Sequence, residues 1–134
     1  MNVSLLARLF GGGMLCLTGI VLAAGKPLAG DPEAGKAIYD RCLACHALTY
    51  DRTGPRHCGL FGRRAGSVKG FVYSQAMKRS GIVWNEKTLN RFLANPLKVV
   101  PGTAMGYAGI PDNQERANLI AYLKQANESA VCGK

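Results

Sequence analysis

The sequence gathers its reactive side chains in one short stretch, Cys42-Leu43-Ala44-Cys45-His46. Two thiols three residues apart sit about one helical turn from each other, so both can reach the two vinyl groups along one edge of a porphyrin. The adjacent imidazole then points at the iron as its proximal ligand, and Cys-x-x-Cys-His is the pattern of covalent haem attachment. Two other chemistries use paired thiols. Half of a zinc site would need a second Cys-x-x-Cys or a His-x-x-His to complete four ligands, and the chain has neither. A thioredoxin-like redox pair belongs beside a βαβ pattern, and none is visible.

If a haem hangs from His46, its iron needs a sixth ligand. Of the four methionines, Met1 and Met14 fall in the N-terminal leader described below, which leaves Met77 and Met105. Met105 lies in the turn-rich run Val100-Pro101-Gly102-Thr103-Ala104-Met105-Gly106-Tyr107-Ala108-Gly109, which can bring a thioether toward a flat cofactor with small flanking residues. Met77 falls in a short helix and reads as core. Without a haem, Met105 would be a loop methionine filling a gap. With both His46 and Met105 bound, the iron has no open position for a substrate, so the chain reads as an electron carrier and not an enzyme. A methionine ligand and an apolar pocket both favour Fe(II) and raise the potential.

The elements that must position these residues are helical. Asp31 as N-cap, Pro32 in the first position and Glu33 near the positive end of the dipole predict a first helix from Pro32 to His46, with Ala34, Ala37 and Ile38 as its apolar stripe. From Thr49 to Gly70 periodicity gives way to Gly54, Pro55, Gly59, Gly62, Gly66 and Gly70, a long wrapping loop. A loop of that length inside one domain needs something to order it, here a large buried ligand. Short helices are expected over Ser74–Arg79 and over Glu86–Leu93, the latter capped by Asn85 and ended by Asn95-Pro96. A loop from Leu97 to Pro111 leads to a last helix, with Asp112 as N-cap, Glu115 completing a capping box, and an end near Asn127–Ser129. The fold class is therefore all-α with long loops.

Length and charge bound the rest. A chain of 134 residues is one domain's worth. Residues 1–24 have the layout of a secretory signal: Arg8, an uncharged apolar stretch from Leu9 to Ala24, and small residues where a peptidase would cut. The rival reading is an uncleaved anchor, which four glycines in that stretch weaken. Cys16 would be lost with the leader. Residues 25–134 then carry 16 basic and 8 acidic side chains and work outside the cytoplasm, in the periplasm, where disulfides persist. The basic balance could serve nucleic acid, an anionic surface or an acidic protein. Nucleic acid is disfavoured, since no Lys/Arg run exceeds Arg63-Arg64.

From Lys36 to Lys124 the chain resembles the class I cytochromes c of the mitochondrial and bacterial type. The stretches that carry the resemblance are Cys42-Leu43-Ala44-Cys45-His46, Thr53-Gly54-Pro55, Gly59-Leu60-Phe61-Gly62-Arg63, Gly81-Ile82-Val83-Trp84, Pro101-Gly102-Thr103-Ala104-Met105 and Leu119-Ile120-Ala121-Tyr122-Leu123, in the family's order. The resemblance implies a fold in which the first and last helices pack together while short helices and long loops wrap one covalent haem c. It implies that the Pro55 carbonyl accepts the other ring N–H of His46. It implies too that Arg63, Tyr73 and Trp84 bond the buried haem propionate region and Thr103 the other propionate; Tyr73 and Trp84 could equally be core aromatics and Arg63 a solvated charge. Two positions depart from the pattern: Phe92 stands where a Tyr usually bonds the Met sulfur, and Met77 where an Asn usually lies beside a buried water. His57 takes the place of a buried Leu and reads as a structural oddity.

Cys58 and Cys132 remain, a pair the family usually lacks. In an exported protein such a pair reads as a disulfide; closing a loop of about 75 residues would stabilise by roughly 4 kcal/mol on the chain-entropy model. The function expected is a diffusible monomeric carrier between a quinol-oxidising complex and a terminal oxidase or reaction centre. Arg41, Lys69, Lys98 and Arg56 would steer it to acidic faces of these partners. The alternatives are a membrane-tethered carrier or fixed subunit of a larger redox enzyme and, from another class, a haem sensor or peroxidase in which Met105 is displaced.

Overall fold

The computed structural model describes residues 28–133; the leader expected over residues 1–24, its rival anchor and Cys16 lie outside the described residues. Five α-helices follow in order: α1 (Pro32–Tyr39), α2 (Gln75–Arg79), α3 (Glu86–Ala94), α4 (Pro96–Val99) and α5 (Asn113–Asn127). Single 3-10 turns lie at Asp40–Cys42 and Ala130–Cys132, and one isolated β-bridge joins Arg64 to Val83.

Helix α1 begins as its sequence dictates. The Asp31 carboxylate accepts the Glu33 amide at 2.9 Å, and Pro32 fills a position that needs no N–H. It stops at Tyr39, earlier than the expected His46, because the chain tightens into the 3-10 turn and then into bonds from the Cys45 and His46 amides to the Cys42 carbonyl (3.1 and 2.8 Å). Its buried face matches the expected stripe of Ala34, Ala37 and Ile38 only at Ile38. Gly35, Ile38 and Tyr39 are buried, whereas Ala37 is exposed. The reason is the crossing with α5. A Cβ on Gly35 would run into the Asn118 carbonyl oxygen and come within 2.8 Å of the Tyr122 Cβ. The two backbones therefore approach closely there, and Leu119, Ile120 and Leu123 of α5 are buried in the common core.

The remaining helices frame the loops. Asn85 and Thr88 form a reciprocal capping box for α3 (both bonds 2.9 Å). Asn95 and Pro96, expected as a stop signal, both end α3 and start α4: the Asn95 side chain accepts the Lys98 amide at 3.0 Å and Pro96 is the first helical residue. The expected loop over Leu97–Pro111 thus begins with a helical turn. At α5 the Asp112 carboxylate accepts the Glu115 amide at 2.7 Å, but the capping box is only half made. The Glu115 carboxylate instead takes two bonds from the Arg41 guanidinium, at 2.9 and 3.1 Å.

Backbone bonds within the long loop after Cys42, and from it to Ile82 and Trp84, hold its path. Gly54 donates to Cys45, His57 to Ala47 and Leu48, Cys58 to Leu48, Gly62 to Trp84 and Ala65 to Ile82, all at 2.7–3.1 Å. Cys58 and Cys132 are brought together, Cα to Cα 5.2 Å across a separation of 74 residues, with their sulfurs at bonding distance.

The α1/α5 contact gives a direct test. Gly35→Ala is expected to lower the free energy of unfolding by about 1–3 kcal/mol, an overpacking cost, read from the denaturant midpoint. An unchanged midpoint would mean that the helices can separate without loss.

Candidate haem site

A cavity of about 410 Å³ opens between the Cys42–His46 turn, the long loop, α2, α3 and the loop before α5, within the size range of cofactor pockets. Every site residue expected from the sequence lines it: Cys42, Cys45, His46, Pro55, Arg63, Tyr73, Trp84, Thr103 and Met105.

On one side stand the two thiols and the imidazole. Cys42 is half-buried and Cys45 exposed, both as free thiols, and burial pushes the Cys42 thiol up from its ordinary pKa. His46 is buried, with Nδ1 2.8 Å from the Pro55 carbonyl oxygen. The carbonyl can only accept, so Nδ1 carries the proton and the lone pair belongs to Nε2. Burial lowers the pKa of the ring and the Pro55 bond opposes that shift. Gly54 lies flat against the imidazole: a Cβ there would fall 2.6 Å from both Nδ1 and Nε2. The only residue type that permits this approach is the one present.

Met105, which also lines the cavity, is half-buried, and its amide donates to the Thr103 hydroxyl at 3.2 Å. Thr103 therefore shapes the loop that presents the thioether, a role the sequence did not suggest. The wall behind is apolar, formed by Met77, Leu89, Phe92, Leu93 and Ile110. Phe92 packs against Trp84 with centroids 5.0 Å apart. Neither Phe92 nor Met77 introduces a polar group.

Arg63 and Tyr73 mark the polar end. Arg63 donates to the carbonyls of Cys58 (3.1 Å) and Arg56 (2.8 Å). It is half-buried and makes no ion pair, since the ion pairs among the described residues join Arg41 to Glu115, Arg56 to Asp51 and Lys124 to Glu86. Burial lowers its pKa and raises that of Tyr73. A half-buried guanidinium without a carboxylate calls for an anion, which fits a cofactor that is apolar over most of its surface and carries carboxylates at one edge. His57, which the sequence marks only as an oddity in the place of a buried Leu, has a structural neighbour: its ring stacks on His46, centroids 4.4 Å apart and planes 18° from parallel.

Two of the four cations expected to face partners are tied up. Arg41 is bound bidentately by Glu115 and Arg56 by Asp51 at 3.0 Å, because each has an acid within reach that linear reading does not reveal. Lys69 and Lys98 are exposed.

Residues 32–127 match the family model described as Cytochrome c. The chain belongs to the cytochrome c family. Cytochrome c of Tetrahymena pyriformis is 56% identical over 97 residues, covering 71% of this chain and 88% of its own. Cytochrome c2 of Blastochloris viridis is 39% identical over 112 residues, covering 81% and 88%. The solved structure of cytochrome cH from Methylobacterium extorquens superposes with a TM-score of 0.70 at 40% identity, over 72% of this chain and 99% of that one. As a cytochrome c the protein carries one covalently bound c-type haem and acts as a one-electron carrier, not an enzyme. The all-α architecture expected from the resemblance is the one the cytochrome c match and the structural neighbour support.

The Thr103–Met105 contact leads to a measurable expectation. Thr103→Val keeps the shape and removes the acceptor, worth about 1 kcal/mol. The Met105 amide should then exchange its hydrogen roughly fivefold faster, and an unchanged rate would remove Thr103 from the loop's support.

Proposed function

We propose that Cys42 and Cys45 hold the haem by thioether bonds, that His46 and Met105 are its axial ligands, and that the protein is a diffusible periplasmic carrier. The observation that carries this reading is the His46–Pro55 bond, which leaves Nε2 as the ring's lone-pair nitrogen in a cavity also lined by both thiols and the thioether. Bound haem supplies an Fe(III)/Fe(II) couple. The protein's own residues do the rest. His46 is fixed by Pro55 and Gly54 and Met105 by the Thr103 turn, so neither ligand needs to move between oxidation states. The apolar wall of Met77, Leu89, Phe92 and Leu93 excludes water and favours the lower-charge state. Arg63, Tyr73 and Trp84 receive one propionate and Thr103 the other.

Export and folding belong to the same reading. Residues 1–24 are a cleaved leader and residues 25–134 the cytochrome domain. Cys58 and Cys132 close as a disulfide in an oxidising compartment, tying the chain end to the haem-side loop. The carrier is released from the membrane and acts as a monomer; among the described residues no helix is long and apolar enough to cross a membrane.

The partners are redox proteins: a quinol-oxidising complex on one side and a terminal oxidase or reaction centre on the other, each presenting an acidic face. Between Arg52 and Pro111 the sequence holds ten basic residues and a single acid, Glu86. The charge is therefore uneven along the chain, and Lys69 and Lys98 are its members left exposed from those first singled out. Such an asymmetry orients the molecule as it approaches. Nucleic acid has no place in this scheme.

Three measurements test it. Met105→Ala should abolish the weak near-infrared band of the ferric Met-ligated form and lower the midpoint potential, whereas a retained band would exclude Met105 as ligand. The intact mass of the purified protein should correspond to a start near residue 25; retention of residues 1–24 would favour a tethered carrier. Cys132→Ser should cost about 4 kcal/mol of stability on the chain-entropy model, and a denaturant midpoint equal to the parent's would show that the bridge does not form.

A further inference from the structure

His57 is the residue that the electron-transfer reading leaves without a task. It is polar and fills a position where an aliphatic side chain would suffice, yet the structure holds it on every side. Its amide donates to the Ala47 and Leu48 carbonyls (both 3.1 Å). Its Nδ1 lies 3.0 Å from the Tyr39 hydroxyl, and the Tyr39 ring meets it edge-on, with centroids 5.6 Å apart. Tyr39 is itself buried in the α1/α5 core and packs on Tyr122 of α5 at 5.2 Å. A continuous set of contacts thus runs from α5 through Tyr122, Tyr39 and His57 to the ring of His46.

We propose that Tyr39 and His57 form a positioning pair that sets the plane of the His46 imidazole. The Pro55 bond fixes the place of Nδ1 but lets the ring swing about the direction of that bond. Contacts on the ring faces remove the swing, and these come from the Gly54 backbone and from His57, stacked within 18° of parallel. A stacked ring can define a plane only if it cannot turn itself. Tyr39 supplies that constraint, because the 3.0 Å hydrogen bond between its hydroxyl and Nδ1 holds one orientation of the His57 ring. Burial raises the Tyr39 pKa far above the ordinary phenol value, so the phenol stays protonated. An aliphatic residue at this position would fill the space without holding a plane. The angle of an axial imidazole decides which iron orbitals it perturbs, and with them the ferric magnetic anisotropy and the midpoint potential; contacts behind a ligating histidine act in this way.

This inference rests on His46 being an axial ligand, and the test separates the two. Tyr39→Phe, His57→Leu and the double variant are purified in haem-loaded form and compared with the parent by ferric electron paramagnetic resonance and by potentiometry. The near-infrared Met band serves as a check on the opposite ligand. His57→Leu should shift the principal g-values and the midpoint. Tyr39→Phe should shift both in the same direction by a smaller amount, and should add nothing in the His57→Leu background, as expected of residues acting through one contact. Unmoved g-values and potential in both single variants would overturn the proposal even if thermal stability fell, since that is the signature of packing alone. Equal effects of Tyr39→Phe with and without His57 would overturn it as well. If His57→Leu does not accumulate, His57→Gln, which keeps a polar acceptor and removes the ring, is read in the same way. A parent protein without the His/Met ferric signature would strike the ligand assignment and the inference together. A parent with that signature and unresponsive variants would strike the inference alone.

Discussion

A large flat apolar group must be enclosed by a chain too short and too loop-rich to close on itself, and this constraint governs the molecule. More than thirty residues separate the Cys42 turn from the start of α2 without a helix, and many of the buried side chains, among them Leu60, Met77, Trp84, Leu89, Phe92 and Ile110, face the cavity. A loop of this length has a reason to stay ordered when it packs on a ligand that it surrounds. The α1/α5 crossing stands apart from this requirement. Its close approach depends on Gly35, and its aromatic contact on Tyr39 and Tyr122. It therefore serves as the frame on which both halves of the cofactor wall are hung.

The two walls differ in how they hold a ligand. On the His46 side the constraints are directional: one hydrogen bond, one glycine against the ring and one stacked imidazole. Elsewhere in the cavity they are mostly dispersive, with Phe92 resting on Trp84 and with Met77, Leu89 and Leu93 buried beside them. A hydrogen-bonded imidazole and a thioether among apolar side chains thus share one cavity, and under the proposed ligation both features favour fast one-electron exchange at a raised potential. Arg63 lines the same cavity and makes no ion pair among the described residues.

Much of this was legible in the sequence because it rests on local chemistry. Cys42-x-x-Cys45-His46 needs only one turn of chain, and the caps at Asp31, Asn85 and Asp112 act within three residues. The misreadings come from contacts between distant segments. Helix α1 was expected to run to His46 because nothing in its composition marks the tightening after Tyr39. Glu115 was assigned to its own helix cap, whereas Arg41, 74 residues earlier in the chain, takes its carboxylate. Asn95-Pro96 reads as a stop and is also a start, since an extended Asn before a Pro suits both roles. His57 stands out in the sequence only as a histidine in the place of a buried Leu, and what it does there depends on the ring it lies against.

The alkaline pyridine spectrum of the purified protein decides whether a haem is bonded to Cys42 and Cys45. After expression beside a working haem-attachment system, the protein should show the haemochrome of a porphyrin with both vinyl groups saturated, and acidified organic solvent should not extract the colour. A colourless product, or a haem that passes into the solvent, would contradict the account.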